Sequence, residues 1–437
     1  MRPLDPTALS LLAAFTLLAV LFAAGVQIGV ALGLAGMAGS ILFTGNWSSG
    51  LNLPLLQSVD VSSAYALIVI PLFVALGSLA AAAGITTDLF TAFYRWIGRI
   101  AGGIAVATIA TGAAMASITG SSVACAAAMC RIAMPELRRY KYADELSVGA
   151  IASGGTIAIM IPPSITFVIY AIFAEASIGK LLIAGILPGL MIATLYALVI
   201  VARCRLDPAL GPAGPRFSSR ERLAVLPAVV PFFAIVLVIL LGILTGVWTP
   251  VESAAAGVVL VLLMGLWRRR LSLKSIADAF IDAVVTSASV MMVVIGSLVF
   301  SNFLALSGFS EMVTSGIMGL GLSPFFLFVM FVLVYLVLGC LMEVTSILAL
   351  TIPLVVPIVT AVGWDLVWFG VIVVSMMEVA AVTPPVGLNL FAVKASVPDV
   401  SLPTIARGAL PFWLMNILAV FILYLLPGIA LFLPGLM

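Results

Sequence analysis

Apolar runs separated by short polar breaks recur along the whole chain, near residues 8 to 24, 25 to 44, 60 to 83, 102 to 130, 146 to 173, 181 to 202, 223 to 245, 250 to 267, 281 to 306, 325 to 360, 367 to 393 and 404 to 434. A bilayer core takes about 20 apolar residues per helix, so the pattern predicts an all-α polytopic membrane protein with spanning or half-spanning helices. Two runs carry small and hydroxyl residues in their middle: Ser117, Thr119, Gly120, Ser121 and Ser122 in one, Thr345 and Ser346 in the other. These read as re-entrant helical hairpins, because non-helical backbone at membrane depth survives only where protein or a wet cavity surrounds it. Segments 84–99 and 274–290 mix charged and apolar positions. The first reads as an amphipathic helix along the cytoplasmic interface, with Tyr94, Trp96 and its arginines at headgroup level; for both, the alternative is a polar start to the next helix.

The basic residues test this layout, since short cytoplasmic loops concentrate Lys and Arg. Groups at 95–99, 131–141, 203–222, 268–274 and 394–407 hold 17 of the 19 Lys and Arg residues. All 17 fall on one side if 102–130 is a hairpin entered from the cytoplasm, and only Arg2 and Lys180 lie outside. The same count implies ten full crossings plus two hairpins, with both termini outside. The first run has only Arg2 as a charged side chain in its n-region besides Asp5, and reads as a transmembrane helix rather than a cleaved signal.

The two halves repeat. GAAMASITGSS (112–122) is followed by GGTIAIMIPPS (154–164), and GCLMEVTS (339–346) by EVAAVTPPVG (378–387); Thr119 precedes Pro162 by 43 positions and Thr345 precedes Pro384 by 39. With one hairpin inside and the other outside, the units are inverted repeats, 1–204 and 223–437, joined by the polar linker 205–222. The paired prolines, Pro162–Pro163 and Pro384–Pro385, predict a broken helix in each unit. A kink used only for packing is the competing reading, and the recurrence argues against it.

Composition narrows the function. Hydrophobic residues make up 64% of the chain and charged ones 8%, with a net charge of +2, which excludes a soluble globular protein and leaves nucleic acid an implausible partner. There is no histidine, and Cys125, Cys130, Cys204 and Cys340 lack the spacing of a thiolate metal site, so no transition metal and no catalytic constellation is expected. Ser117, Thr119, Gly120, Ser121 and Ser122 with Gly155, Thr156, Pro162, Pro163 and Ser164, and Thr345 and Ser346 with Thr383, Pro384, Pro385, Gly387 and Asn389, supply carbonyl and hydroxyl oxygens suited to a hard cation such as Na⁺. Taken singly, each Ser or Thr could equally bond its own helix backbone. Glu343 and Glu378 lie in strongly apolar sequence, where a carboxylate is functional by default, though a helix end could also hold one. Glu252 and Asp282 read as structural.

In order along the chain, ITGSS (118–122), MIPPS (160–164), TPVESAAAG (249–257), MEVTS (342–346) and TPPVGLNLF (383–391) resemble the landmarks of the large membrane subunit of tripartite ATP-independent periplasmic (TRAP) transporters. The resemblance covers essentially the whole chain; Val251 stands where a Thr is common among relatives. It implies an inverted-repeat elevator-type transporter, with transport-domain parts near 102–173 and 325–393 moving against a scaffold, and a sodium-coupled import of an organic acid. It implies a first sodium site at Ser117, Thr119, Gly120, Ser121, Ser122, Gly155, Thr156 and Pro162. A second would use Glu343, Thr345, Ser346, Thr383, Pro384 and Gly387. Substrate would lie between the tips, near Ser122, Pro163, Ser164, Thr345, Pro385 and Asn389. No cofactor is implied beyond Na⁺ as coupling ion. The implied setting is the bacterial inner membrane, and the implied partners are a small four-helix membrane subunit and a periplasmic substrate-binding protein. A self-sufficient sodium/anion symporter is the alternative, with an intramembrane enzyme or passive channel more distant.

Overall fold

In the computed structural model, which describes residues 6–119, 121–384 and 387–437 (side chains of Pro6 and 116–119 excepted), every regular element is a helix. Among the described residues seven helices are long and apolar enough to cross a membrane: Tyr65–Ala82, Ile178–Leu206, Ser219–Leu244, Pro250–Trp267, Leu273–Leu306, Val344–Val362 and Leu402–Leu425. Ten crossings were expected. The difference lies in the expected crossings 8–24, 25–44, 146–173 and 367–393, whose helices are shorter: Thr7–Ala23, Ile28–Thr44, Asp144–Thr156 with Ile165–Phe173, and Leu366–Ala381; Val344–Val362, one of the seven, lies in the second expected hairpin.

One element differs from the sequence pattern, and one open alternative is decided. Residues 45–59, expected as a break, lie largely within a helix, Trp47–Ser63, whose first turn is capped by the Asn46 side chain accepting from the Ser48 N–H at 2.9 Å. Its polar residues dilute the apolar signal, while Leu55, Leu56 and Val59 remain exposed. Segment 274–290 is the polar start of a longer helix, the second of the two readings the sequence left open: it forms the first half of the 34-residue helix Leu273–Leu306. The element that matches the amphipathic helix Ile85–Ile97 is Phe309–Gly319 instead. Each follows a long apolar helix through a sharp corner, and Gly84 and Gly308 hold φ of 72° and 69° there, a conformation that a Cβ disfavours.

Helices Gly103–Thr119 and Ser122–Arg139 pack on each other as a pair. Both of its feet hold the same stretch of linker: the Gly102 N–H donates to the Gly211 carbonyl at 2.9 Å, and the Ala143 N–H to the Leu210 carbonyl at 3.0 Å. The pair therefore starts and finishes at one end of the molecule. In the second pair, Pro324–Gly339 and Val344–Val362, Phe331 midway along the first helix packs edge-on against Trp364, just past the end of the second. Val344–Val362 is long enough to cross by itself.

Each pair leans on a broken helix. The first runs Asp144–Thr156, a 3₁₀ turn Ile157–Ile159, then Ile165–Phe173; the second runs Leu366–Ala381 and resumes at Leu388–Ser396. Gly112 sits against Gly154, and Gly339 against Ala380, so that a Cβ on either would fall 2.3 Å from the Gly154 carbonyl oxygen or 2.0 Å from the Ala380 Cβ. Without a hydrophobic drive between helices in lipid, such small-residue contacts let backbones approach closely.

The basic groups meet at one end. Asp88 bridges Arg268 at 3.4 Å and Arg270 at 2.6 Å, Arg203 reaches Glu145 at 3.4 Å, and Arg95 and Trp96 donate to the Glu221 and Arg222 carbonyls at 3.2 and 3.1 Å. Arg138 pairs with Asp144 and Asp399, and its hydrogen bond holds the Asp399 carboxyl below the ordinary range. This clustering is what concentrating Lys and Arg in the loops of one face produces.

The closest backbone contacts make a stability prediction. A Cβ on Gly408 would lie 2.0 Å from the Glu145 carbonyl oxygen, and one on Gly296 would lie 1.8 Å from that of Gly29, whereas Gly316 has open space. Gly408→Val and Gly296→Val are expected to destabilise by about 1–3 kcal/mol or more, read as an earlier melt in detergent, with Gly316→Ala melting like the parent chain.

Candidate functional site

The four helices that resume after a tip or a break all begin at one place. Ser122–Arg139, Ile165–Phe173, Val344–Val362 and Leu388–Ser396 send their first residues to the wall of a single cavity of about 770 Å³. The opposite wall comes from other helices, with Gln27 and Ile28, Ser78 of Val69–Ala82, and Asp282, Thr286 and Ser289 of Leu273–Leu306. The cavity thus lies where the tips and breaks face the remaining helices.

Each helix start has a local reason. Ser121 caps the first, its Oγ accepting from the Ala124 N–H at 3.4 Å. Glu343 caps the third: its carboxylate accepts from the backbone N–H groups of Thr345 at 3.1 Å and Ser346 at 3.4 Å, and from the Thr345 hydroxyl at 3.0 Å. Ser164 spans the first break, accepting from the Phe167 N–H beyond it at 3.4 Å and donating to the Ile159 carbonyl before it at 2.5 Å. Gly387, with φ of 43°, turns the chain into Leu388–Ser396. Backbone N–H groups left over at such ends, together with the helix dipole, favour negative charge.

The charged lining is acidic. Glu343 and Asp282 are the charged residues on the wall, with no Lys or Arg among its described residues. Asp282 accepts a hydrogen bond from the Ser78 hydroxyl at 2.5 Å. An anion in this cavity would meet four helix N-termini and two carboxylates together, so cations bound with it would lower the repulsion. Carboxylate, hydroxyl and carbonyl oxygens are the ligands such hard cations take.

Of the residues that the sequence singles out, Ser121, Ser122, Glu343, Thr345 and Ser346 are together on the cavity wall. Gly155 lies directly behind, where a Cβ would fall 2.9 Å from the Ser122 carbonyl oxygen. Thr156 is buried away from the lining, donating to the Ser153 carbonyl at 2.8 Å. Pro162, Pro163 and Ser164 form the first break behind Ile159 and Ile165, which do line the cavity. In the second break Thr383 donates to the Val379 carbonyl at 2.6 Å and accepts from the Trp413 indole at 2.8 Å, and the Pro384 carbonyl faces the Cys340 thiol at 3.7 Å. Asn389 is buried and donates to the Ala152 carbonyl at 3.0 Å, tying the two broken helices together. Gly120 and Pro385 lie outside the described residues, as do the side chains of Ser117 and Thr119.

Asp282 read as structural from sequence, yet it stands on the cavity wall; its signal was a carboxylate on an apolar helix. Ser78, Thr286 and Ser289 carried no signal beyond being polar in apolar runs. Glu252 does have the structural role expected of it, closing a capping box with Thr249, whose N–H it accepts at 2.8 Å.

Comparison with known proteins agrees with this architecture. The family described as "Tripartite ATP-independent periplasmic transporter, DctM component" matches residues 15–429. The C4-dicarboxylate TRAP transporter large permease protein DctM of Pseudomonas aeruginosa is 34% identical over 407 residues, which span 92% of this chain and 93% of that protein. The sialic acid TRAP transporter large permease protein SiaM of Vibrio cholerae is 30% identical, with 97% of both covered. The isethionate TRAP transporter permease protein DctMQ of Oleidesulfovibrio alaskensis is 31% identical, with 96% of this chain and 66% of that protein covered. Among solved structures the Alcanivorax borkumensis YdaH transporter shares the fold, with a TM-score of 0.59 over 87% of this chain at 13% identity.

The Glu343 cap yields a prediction of its own. Glu343→Ala removes the acceptor for two backbone N–H groups and is expected to cost about 0.5–2 kcal/mol of stability, measured as a lower melting temperature, with Glu343→Asp retaining part of it.

Proposed function

Because the chain belongs to the DctM-component family of TRAP transporters, we propose that it is the large permease subunit of a sodium-coupled importer of an organic acid in a bacterial inner membrane. It is a permease and not an enzyme. The relatives' printed substrates, C4-dicarboxylates, sialic acid and isethionate, are all acids, and that chemistry suits this cavity. The observation that carries the reading is the convergence of four helix N-termini on a space whose charged side chains, among the described residues, are Glu343 and Asp282. The N-termini attract an anion, the carboxylates attract Na⁺, and each occupant reduces the cost of admitting the other.

In this reading 1–204 and 223–437 are inverted repeats joined by the linker 205–222, and each helix pair is a re-entrant hairpin. The hairpins and broken helices, near 102–173 and 325–393, form a transport domain that moves as an elevator against the remaining helices. The cavity between these two groups supports that division, since substrate held there would move with one wall past the other. Both termini face the periplasm. A small four-helix membrane subunit steadies the scaffold, and a periplasmic binding protein delivers the acid. The first sodium site is formed around Ser121, Ser122 and Gly155, the second around Glu343, Thr345 and Ser346; Ser117, Thr119, Thr156, Pro162, Thr383, Pro384 and Gly387 complete the two sets. Substrate contacts Ser122 and Thr345, backed by Pro163, Ser164 and Asn389.

Bound Na⁺ biases transport only if its affinity differs between the states it connects. In a reconstituted complex, Ser121→Ala and Thr345→Ala are each expected to raise the sodium concentration for half-maximal uptake. Unchanged sodium dependence in both folded variants would remove these side chains from the ion sites. In sodium-gradient liposomes, labelled C4-dicarboxylates, sugar acids and sulfonates should enter only when the chain, the small subunit and the binding protein are all present. Saturable uptake by the chain alone would identify a self-sufficient symporter. In a cysteine-free background, Ala101→Cys and Arg139→Cys should both resist an impermeant periplasmic thiol reagent; labelling of one alone would turn the first hairpin into a crossing.

A further inference from the structure

Behind the cavity, in the packed interior, Glu378 on Leu366–Ala381 faces Asn416 on Leu402–Leu425, and both side chains are fully buried. The Asn416 amide Nδ2 donates to Glu378 Oε2 at 3.3 Å. Glu378 Oε1 and Asn416 Oδ1, the other oxygen of each group, have no donor. An ionised carboxylate and an amide carbonyl oxygen can only accept, so in that form two buried acceptors remain without a proton. A carboxylic acid and a carboxamide, by contrast, are complementary: the amide N–H donates to the acid carbonyl while the acid O–H donates to the amide carbonyl. One proton on Oε1 would therefore serve both orphaned oxygens.

The electrostatic surroundings point the same way. An unpaired carboxylate buried at low dielectric is expensive, and among the described residues the hydrogen-bond partner of Glu378 is the neutral Asn416 amide rather than a Lys or Arg. The titratable group that interacts with it is Tyr196, whose hydroxyl is beside Thr156. Asp144, Glu145, Tyr170, Lys180, Tyr335, Lys394, Arg407 and Tyr424 lie on helices packed against Leu366–Ala381, and none of them makes a hydrogen bond or ion pair with Glu378. Neutralising the group by one proton removes the charge and lets one hydrogen bond give both orphaned oxygens a partner.

We propose that Glu378 is an intramembrane proton site, held as a neutral acid paired through two hydrogen bonds with the Asn416 carboxamide. Uptake of a single proton from hydronium forms the Oε1–H bond, breaks one hydronium O–H bond and leaves water. Glu378 does not line the cavity that Ser121, Ser122, Glu343, Thr345 and Ser346 face.

The test is infrared spectroscopy of the purified full-length chain at neutral pH, comparing the parent with Glu378→Gln. A carboxylic-acid C=O stretch present in the parent and missing from Glu378→Gln is the expected result, and the variant should melt with the parent because its amide N–H replaces the acid O–H. In Asn416→Leu the same band should move to higher frequency as its hydrogen bonds are lost, which keeps the test informative if Glu378→Gln does not fold. Absence of the band in the parent, or no shift of it in Asn416→Leu, would overturn the proposal. So would thermal stabilisation by NaCl over choline chloride that the parent has and folded Glu378→Gln lacks, since Glu378 would then ligate a cation.

Discussion

A hydrocarbon core offers backbone groups no hydrogen-bond partner, and a helix interrupted at membrane depth must find those partners inside the protein. This chain closes its interruptions with a few side chains. Ser164 reaches across the first break in both directions, Thr383 and Trp413 hold the second, and Asn389 joins one broken helix to the other. Glycines bring the helices near enough for this: Gly112 against Gly154, Gly155 behind Ser122, and Gly149 against Gly408. What remains open is the set of four helix starts facing one cavity.

That arrangement converts a structural cost into selectivity. The N–H groups at the helix starts carry partial positive charge that no side chain has to supply, so the wall favours anions with no Lys or Arg among its described residues. Glu343 uses part of this capacity at one start and, with Asp282, makes the cavity acidic. An acid substrate and the coupling cations are then mutually dependent occupants, which is the electrostatic basis proposed for coupling.

Much of this was legible in the sequence because lipid imposes strong rules. The apolar runs give the all-α membrane class, the paired prolines mark both breaks, and the clusters around Ser121 and Thr345 mark both tips. The limits have physical causes. Trp47–Ser63 is too polar to announce itself as a membrane helix. Phe309–Gly319 is an amphipathic helix defined by a glycine corner rather than by charge, since Glu311 is its one acidic residue. Asp282 and Ser78 are 204 positions apart and meet only when Val69–Ala82 packs on Leu273–Leu306, so no local pattern could assign them to the cavity. Thr156, Thr383 and Asn389 matched the chemistry of ion ligands, and the fold shows what a local pattern does not: they also donate to the Ser153, Val379 and Ala152 carbonyls.

The central claim is that anion and cation occupy one cavity and assist each other, and linkage makes that directly measurable. Binding of a C4-dicarboxylate, a sugar acid and a sulfonate to the purified chain should be titrated at several Na⁺ concentrations, and binding of Na⁺ at several concentrations of the acid that binds. The account predicts that Na⁺ tightens the binding of that acid, and that the acid tightens Na⁺ by the same factor. An acid that binds with one affinity whatever the Na⁺ concentration would contradict it.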